Sequence, residues 1–156
     1  MLNTLRTRLA RDEGFTLVEL LVVILIIGIL AAIALPTFLG QQAKGQDASA
    51  KSNARNLVSQ VESCYADTQD YTTCQTITQL TQNNTVSTGL PLVNGTPAAK
   101  SGQVGVSAAS TTGYTITAVS KSGVNYVITK AASGSVSRTC TVPSGSPQGS
   151  CVSGSW

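Results

Sequence analysis

An α+β fold is predicted: one long N-terminal α-helix, over about residues 15–66, packed in its C-terminal half on a three- or four-stranded antiparallel sheet. Three observations predict it. First, no side chain from Leu20 to Leu35 is polar, and from Phe15 to Ala43 the one charge is Glu19. Second, Ala50, Ala54, Leu57, Val58, Val61 and Tyr65 recur at three- and four-residue steps, the spacing of one helix face. Third, the period falls to two after about residue 101, with Gly and Ser breaks between runs, the pattern of an antiparallel meander.

Composition sets limits on function. Charged residues make up 11% of the 156, well below the roughly 25% of an average soluble domain. The net charge is +3. The basic residues are scattered, with no patch or stripe of the kind nucleic-acid binders carry, so nucleic acid is not indicated as a partner. There is no histidine, which removes the commonest acid–base and metal-binding side chain. No nucleophile–base constellation, phosphate loop or catalytic metal motif stands out, so neither an enzyme nor a cofactor is expected. The four cysteines lie in the second part of the chain, which suggests disulfides and an oxidising compartment.

Three readings of the N-terminal segment compete. Arg6, Arg8 and Arg11 precede Asp12, Glu13 and Gly14, and the apolar run follows. A secretory signal peptide would be cut after the run, and Ala32-Ile33-Ala34 fits the small-residue cleavage pattern. A plain signal anchor would span: Phe15 to Gly40 rises about 39 Å, against roughly 30 Å of hydrocarbon, and the arginines would keep the N-terminus cytoplasmic. The third reading is a segment processed before the run. Glu19 distinguishes them. A carboxylate inside an apolar span costs on the order of 2.5–3.5 kcal/mol on insertion scales, and neither of the first two schemes gains from it.

Gly14-Phe15-Thr16-Leu17-Val18-Glu19-Leu20-Leu21-Val22-Val23 resembles the prepilin motif of type IV pilins and type II secretion pseudopilins. The close match covers residues 11 to about 40; beyond it the likeness is architectural. The resemblance implies cleavage between Gly14 and Phe15 by a membrane prepilin peptidase, and N-methylation of Phe15. It implies three segments: a leader over 1–14, a transmembrane and assembly half-helix over 15–43, and a periplasmic or extracellular globular domain over 44–156. It further implies a homo-oligomeric helical filament, an assembly platform and ATPase, and a single-pass inner (cytoplasmic) membrane stage before an extracellular filament. No small-molecule substrate is implied.

Cleavage would create an α-amino cation at Phe15. Glu19 lies four residues on, on the same helix face, and can pair with that amine within one subunit or between neighbours. The resemblance implies the second, so Phe15 and Glu19 are the expected assembly pair. Gly28, Ala31, Ala32 and Ala34 are small and would allow close helix approach. Pro36 removes a backbone hydrogen bond and is the expected site of a kink, with Gly28, Gly40 and Gly45 loosening the region. Asp47 and Lys51, at i and i+4, read as an exposed pair. A helix of about 78 Å in so small a chain leaves half its length uncovered by its own domain.

Residues 67 to about 101 read as a loop region, with short elements near Ile77–Leu80. Strands are expected over Gln103–Ala108, Tyr114–Ser120, Val124–Lys130 and Ser135–Val142. Their inward sets are Val104 and Val106; Tyr114, Ile116 and Ala118; Val124, Tyr126 and Ile128; and Val136, Cys140 and Val142, with the opposite face wet. Four cysteines allow three connectivities. Cys64–Cys74 and Cys140–Cys151 are favoured because both are local, and zinc is disfavoured because neither spacing matches its usual ligand pairs. Many type IV pilins carry a C-terminal disulfide-bounded loop, and the tail from Pro143 to Trp156 would play that part. Asn83-Asn84-Thr85 and Asn94-Gly95-Thr96 match the N-glycosylation pattern, a weak signal. Asp67 and Asp70 suggest calcium less readily than simple solvation.

The leading functional expectation is a type IV pilus subunit serving adhesion, surface motility or DNA uptake. The alternatives are a type II secretion pseudopilin and an exported soluble binding module released after Ala34.

Overall fold

A computed structural model describes residues 14–82, 89–144 and 150–156. The predicted leader, the Asn83-Asn84-Thr85 site and part of the C-terminal tail lie outside them. Helix α1 runs Leu17–Thr68. A 3-10 turn, Tyr71–Cys74, and a short α2, Ile77–Gln82, follow. Four strands complete the chain: β1 Val104–Ala109, β2 Tyr114–Val119, β3 Asn125–Lys130 and β4 Val136–Thr141. They form one antiparallel sheet in the order β1-β2-β3-β4. The fold is α+β, with a long helix on a four-stranded antiparallel sheet.

The chain divides between Phe38 and Leu39 into two units. In the first, Thr16 caps the helix, and α1 continues through Pro36. Proline offers no N–H to the carbonyl of Ala32; beside it, the Thr37 hydroxyl donates to the Ala34 carbonyl at 2.9 Å. Its large apolar side chains are exposed throughout, from 44% at Val22 to 82% at Phe15. An 18-residue window reaches a mean hydropathy of 3.1, so the helix is long and apolar enough to cross a membrane.

The second unit holds the core. On α1 the buried positions are Ala43, Asp47, Ala50, Ala54, Leu57, Gln60, Val61 and Cys64, a helical stripe that includes two polar residues. Val58 and Tyr65, expected in the stripe, are only partly buried at its margin. From Ala50 to Cys64 the apolar members join one cluster with Val104, Val106, Ile116, Tyr126 and Ile128 from the sheet. Register explains which strand residues belong. Val104, Ala118, Tyr126 and Cys140 form one cross-strand row, and Val106, Ile116, Ile128 and Arg138 form the next.

The structure corrects three expectations. On β4 only Cys140 is fully buried. Val136 is 54% exposed and Val142 half-buried, because β4 is the edge strand. The opposite sheet face is not wholly wet, since Thr117 and Val119 are buried there. Asp47 is not an exposed ion-pair partner for Lys51. It is fully buried, and it accepts hydrogen bonds from the Ser122 hydroxyl at 2.5 Å and the Ser150 amide at 3.1 Å. Lys51 donates instead to the Ser150 carbonyl at 3.3 Å.

Each edge of the sheet is covered at one end, at Val104 on β1 and at Thr139 and Cys140 on β4, which shortens the row of unpaired backbone groups that invites another strand. On β1, the Val93 amide donates to the Val104 carbonyl and the Val104 amide to the Pro91 carbonyl, both at 3.0 Å. On β4, the Cys140 amide donates to the Gly154 carbonyl at 2.8 Å, and the Trp156 indole donates to the Thr139 carbonyl at 2.8 Å. Disulfides Cys64–Cys74 and Cys140–Cys151 pin the segments after α1 and after β4.

Candidate functional site

Gly14, Phe15 and Glu19 come together at the start of α1. The sequence Thr16-Leu17-Val18-Glu19 forms a capping box. The Glu19 amide donates to Thr16 Oγ1 at 3.2 Å, and Glu19 Oε2 accepts from the Thr16 amide at 2.9 Å and the Thr16 hydroxyl at 2.8 Å. Two of the orphan donors at the helix start are thereby satisfied. The sequence signal of this role is the S/T-x-x-E/Q spacing of Thr16 and Glu19, which the reading of Glu19 as a charge leaves out. Among the described residues Glu19 bonds through Oε2 alone, so Oε1 keeps capacity for a further donor. Phe15 and Gly14 are exposed beside it. Further along, Gly28 opens a shallow apolar recess walled by Leu21, Ile24, Leu25 and Ile29.

A second polar cluster, not anticipated from the sequence, ties α1 to the sheet. Glu62 accepts from Lys130 Nζ at 2.8 Å, from the Tyr71 hydroxyl at 2.9 Å and from the Tyr114 hydroxyl at 3.0 Å. Lys130 also donates to the Tyr71 oxygen at 2.7 Å. Tyr71 stacks on Tyr65 with ring centroids 4.0 Å apart and meets Tyr114 edge-on. Burial pushes the Glu62 carboxyl up, but the hydrogen bonds from Lys130, Tyr71 and Tyr114, with the Lys130 charge, together hold it below its ordinary 4.5. Burial raises the Tyr71 and Tyr114 phenols, helped by Glu62. The Glu62 hydrogen bond raises Lys130. A carboxylate with a lowered folded pKa stabilises fully above its unfolded value and loses that contribution as pH falls through the folded one. Glu62→Gln is therefore expected to cost about 1–2 kcal/mol at neutral pH. The gap between variant and parent should close as pH drops below the ordinary carboxylate range. Thermal melts of both across that range check it, and a pH-independent gap contradicts it.

Other candidate residues have structural occupations. Asp70 caps the 3-10 turn, its Oδ1 accepting from the Thr72 amide and hydroxyl, both at 2.8 Å. Asn94 Oδ1 accepts from the Ile77 amide at 2.9 Å. No group of three metal-ligating side chains occurs among the described residues, and the cysteines are spent in disulfides.

Residues 9–35 match the family described as the prokaryotic N-terminal methylation motif. The chain is 44% identical over 61 residues to the type IV major pilin protein PilA of Myxococcus xanthus, covering 39% of this chain and 28% of that protein. It is 36% identical over 95 residues to a type IV major fimbrial protein FimA of Dichelobacter nodosus, covering 61% of this chain and 60% of that protein. It is 37% identical over 65 residues to the type II secretion system core protein G of Dickeya chrysanthemi, covering 42% of each. The chain thus spans between 28% and 60% of these relatives' lengths.

Proposed function

We propose that this chain is the structural subunit of a type IV pilus, polymerising through the N-terminal half of α1 after cleavage between Gly14 and Phe15 and methylation of the Phe15 amine. The observation that carries this reading is the exposed apolar half-helix with a single carboxylate near its start. An apolar surface of that size requires either lipid or copies of itself. Lipid accounts for the leucines, isoleucines and valines but gives Glu19 nothing to pair with. A bundle of identical helices accounts for both. In this reading processing frees an ammonium at Phe15, and Glu19 Oε1 of a neighbouring copy pairs with it. The pair would select register, because a desolvated charge without its partner is costly. Pro36 is proposed as the point where the helix bends or loosens on assembly. The prepilin peptidase, assembly platform and ATPase follow from this reading as partners, as does passage from the inner membrane to the cell exterior.

Mass spectrometry of the mature protein tests the processing step. The expected N-terminus is N-methyl-Phe15; a chain starting at Leu35 sinks the proposal and favours a released binding module. Electron microscopy of sheared surface material then decides the destination. Filaments containing this chain are expected. The second reading, a secretion pseudopilin, has the similarity to protein G in its favour. It predicts loss of protein export, with no surface filaments, on deletion. The Cys140–Cys151 disulfide near the C-terminus suits a surface filament that meets targets, in adhesion, motility or DNA uptake.

A further inference from the structure

We propose that Asn94 is a self-modification site: the Gly95 backbone nitrogen attacks the Asn94 side-chain amide, and the residue is converted to aspartate and isoaspartate with loss of ammonia. Asn94-Gly95 is the one Asn-Gly or Asp-Gly step in the chain. The attack needs the nitrogen of the next residue to reach the asparagine Cγ. Glycine, which has no Cβ, obstructs that approach least.

Three features of the fold favour the step. First, Asn94 is exposed to water, and its Oδ1 accepts from the Ile77 amide at 2.9 Å. The start of α2 is capped without that amide: Thr76 Oγ1 accepts from the Gln79 amide at 3.2 Å, and Gln79 Oε1 accepts from the Thr76 amide at 2.8 Å. As the Gly95 nitrogen bonds to Cγ, negative charge builds on Oδ1. The Ile77 N–H therefore faces an atom whose charge rises toward the transition state. Second, the Gly95 amide donates to no acceptor among the described residues, so no hydrogen bond is broken to use it. Third, the flanks are held. The Val93 amide donates to the Val104 carbonyl at 3.0 Å, and Pro97 is buried, which keeps Asn94 beside the Ile77 amide.

The reaction balances with water alone. The Gly95 nitrogen bonds to Cγ and loses its proton to solvent; the Cγ–Nδ2 bond breaks, and Nδ2 leaves as ammonia. One water then opens the five-membered imide. Opening at Cγ leaves aspartate at position 94. Opening at the main-chain carbonyl of residue 94 leaves isoaspartate, with one extra carbon in the backbone. Either product adds a negative charge at an exposed site. Aspartate keeps an oxygen to accept from Ile77. Isoaspartate lengthens the segment beside the Val93–Val104 and Val104–Pro91 hydrogen bonds, and so loosens the cover on the β1 edge. The site lies wholly within residues 39–156 and does not depend on polymerisation.

The test incubates the full chain in a neutral detergent at mildly alkaline pH, then digests it and follows the peptide carrying residue 94 by mass spectrometry. The expected product is heavier by the difference between an acid and an amide, in two chromatographically separate forms, aspartate and isoaspartate. Asn53, Asn56 and Asn125, held in α1 and β3, should stay intact. Conversion is expected to run roughly tenfold or more faster than in a free peptide of residues 92–98, and Ile77→Pro should bring it down toward the peptide's rate. Proline suits the first position of a helix, the place Ile77 holds in α2, and there lacks only the N–H. A thermal melt checks that this variant folds; if it does not, the comparison of parent and peptide decides alone. Conversion no faster than in the peptide overturns the proposal. So does a folded Ile77→Pro that converts as fast as the parent or faster, which would make the Ile77 bond a restraint on Asn94.

Discussion

Glu19→Val is expected to abolish surface filaments while leaving residues 39–156 folded. Two roles of Glu19 are lost together in that variant, and their magnitudes differ. The capping box with Thr16 contributes about 0.5–2 kcal/mol to the helix start. Helix α1 extends over 52 residues, so fraying its first turn leaves most of the packing surface in place. An ammonium at Phe15 left unpaired inside an apolar bundle costs several kcal/mol, and the cost recurs at every subunit. Charge, on this arithmetic, outweighs the cap. Glu19→Gln separates the two, because glutamine at this position still closes a capping box but carries no charge. Filaments should be lost in Glu19→Gln as well, and Thr16→Val, which removes the cap alone, should assemble with modest impairment. Sheared-pilus yield and electron microscopy read the outcome. Normal filaments in Glu19→Gln would show that Glu19 serves the helix and not the neighbouring amine.

Gly105→Val is expected to destabilise the globular unit by roughly 4 kcal/mol and lower its melting temperature by about 10 °C or more. A side chain at Gly105 would point into the carbonyl oxygens of Gly95 and Val93, both backbone atoms of the segment that covers β1. Neither is the end of a flexible side chain, so the covering segment itself must move. Its displacement breaks the Val93–Val104 and Val104–Pro91 hydrogen bonds, each worth about 1 kcal/mol. It also leaves the β1 edge open to pairing with another chain. A second consequence follows: increased aggregation on heating, measured by light scattering beside the melt. A shift of only a degree or two would mean that residues 91–95 contribute little to the unit.

Much of the architecture was readable from local periodicity. Alternation placed all four strands to within about two residues of their observed ends, since a pleated strand turns its side chains every second residue. The apolar run and its three- and four-step continuation placed α1 almost to its observed bounds. The β4 face was misjudged at Val136 for a reason alternation cannot supply. Period assigns a residue to a face, and only the position of the strand in the sheet decides whether that face is covered. The Asp47–Lys51 spacing implies a surface pair for a similar reason: it is a local rule, and Asp47 is engaged by Ser122 and Ser150 from far along the chain.

The sequence by itself determined the long helix, its unbroken apolar half, the lone carboxylate four residues after Phe15, and the strand alternation. These are properties of neighbours along one chain, set by backbone geometry and transfer free energy. Tertiary structure alone decided that Asp47 is buried, that Glu62 gathers Lys130, Tyr71 and Tyr114, that Pro91–Val93 and Gly154–Trp156 cover one end of each sheet edge, and that Asn94 meets the Ile77 amide. Each of these joins groups separated by a helix, a loop or several strands. Which distant partner a polar group meets depends on the register and packing of whole elements, and no period in the sequence records it.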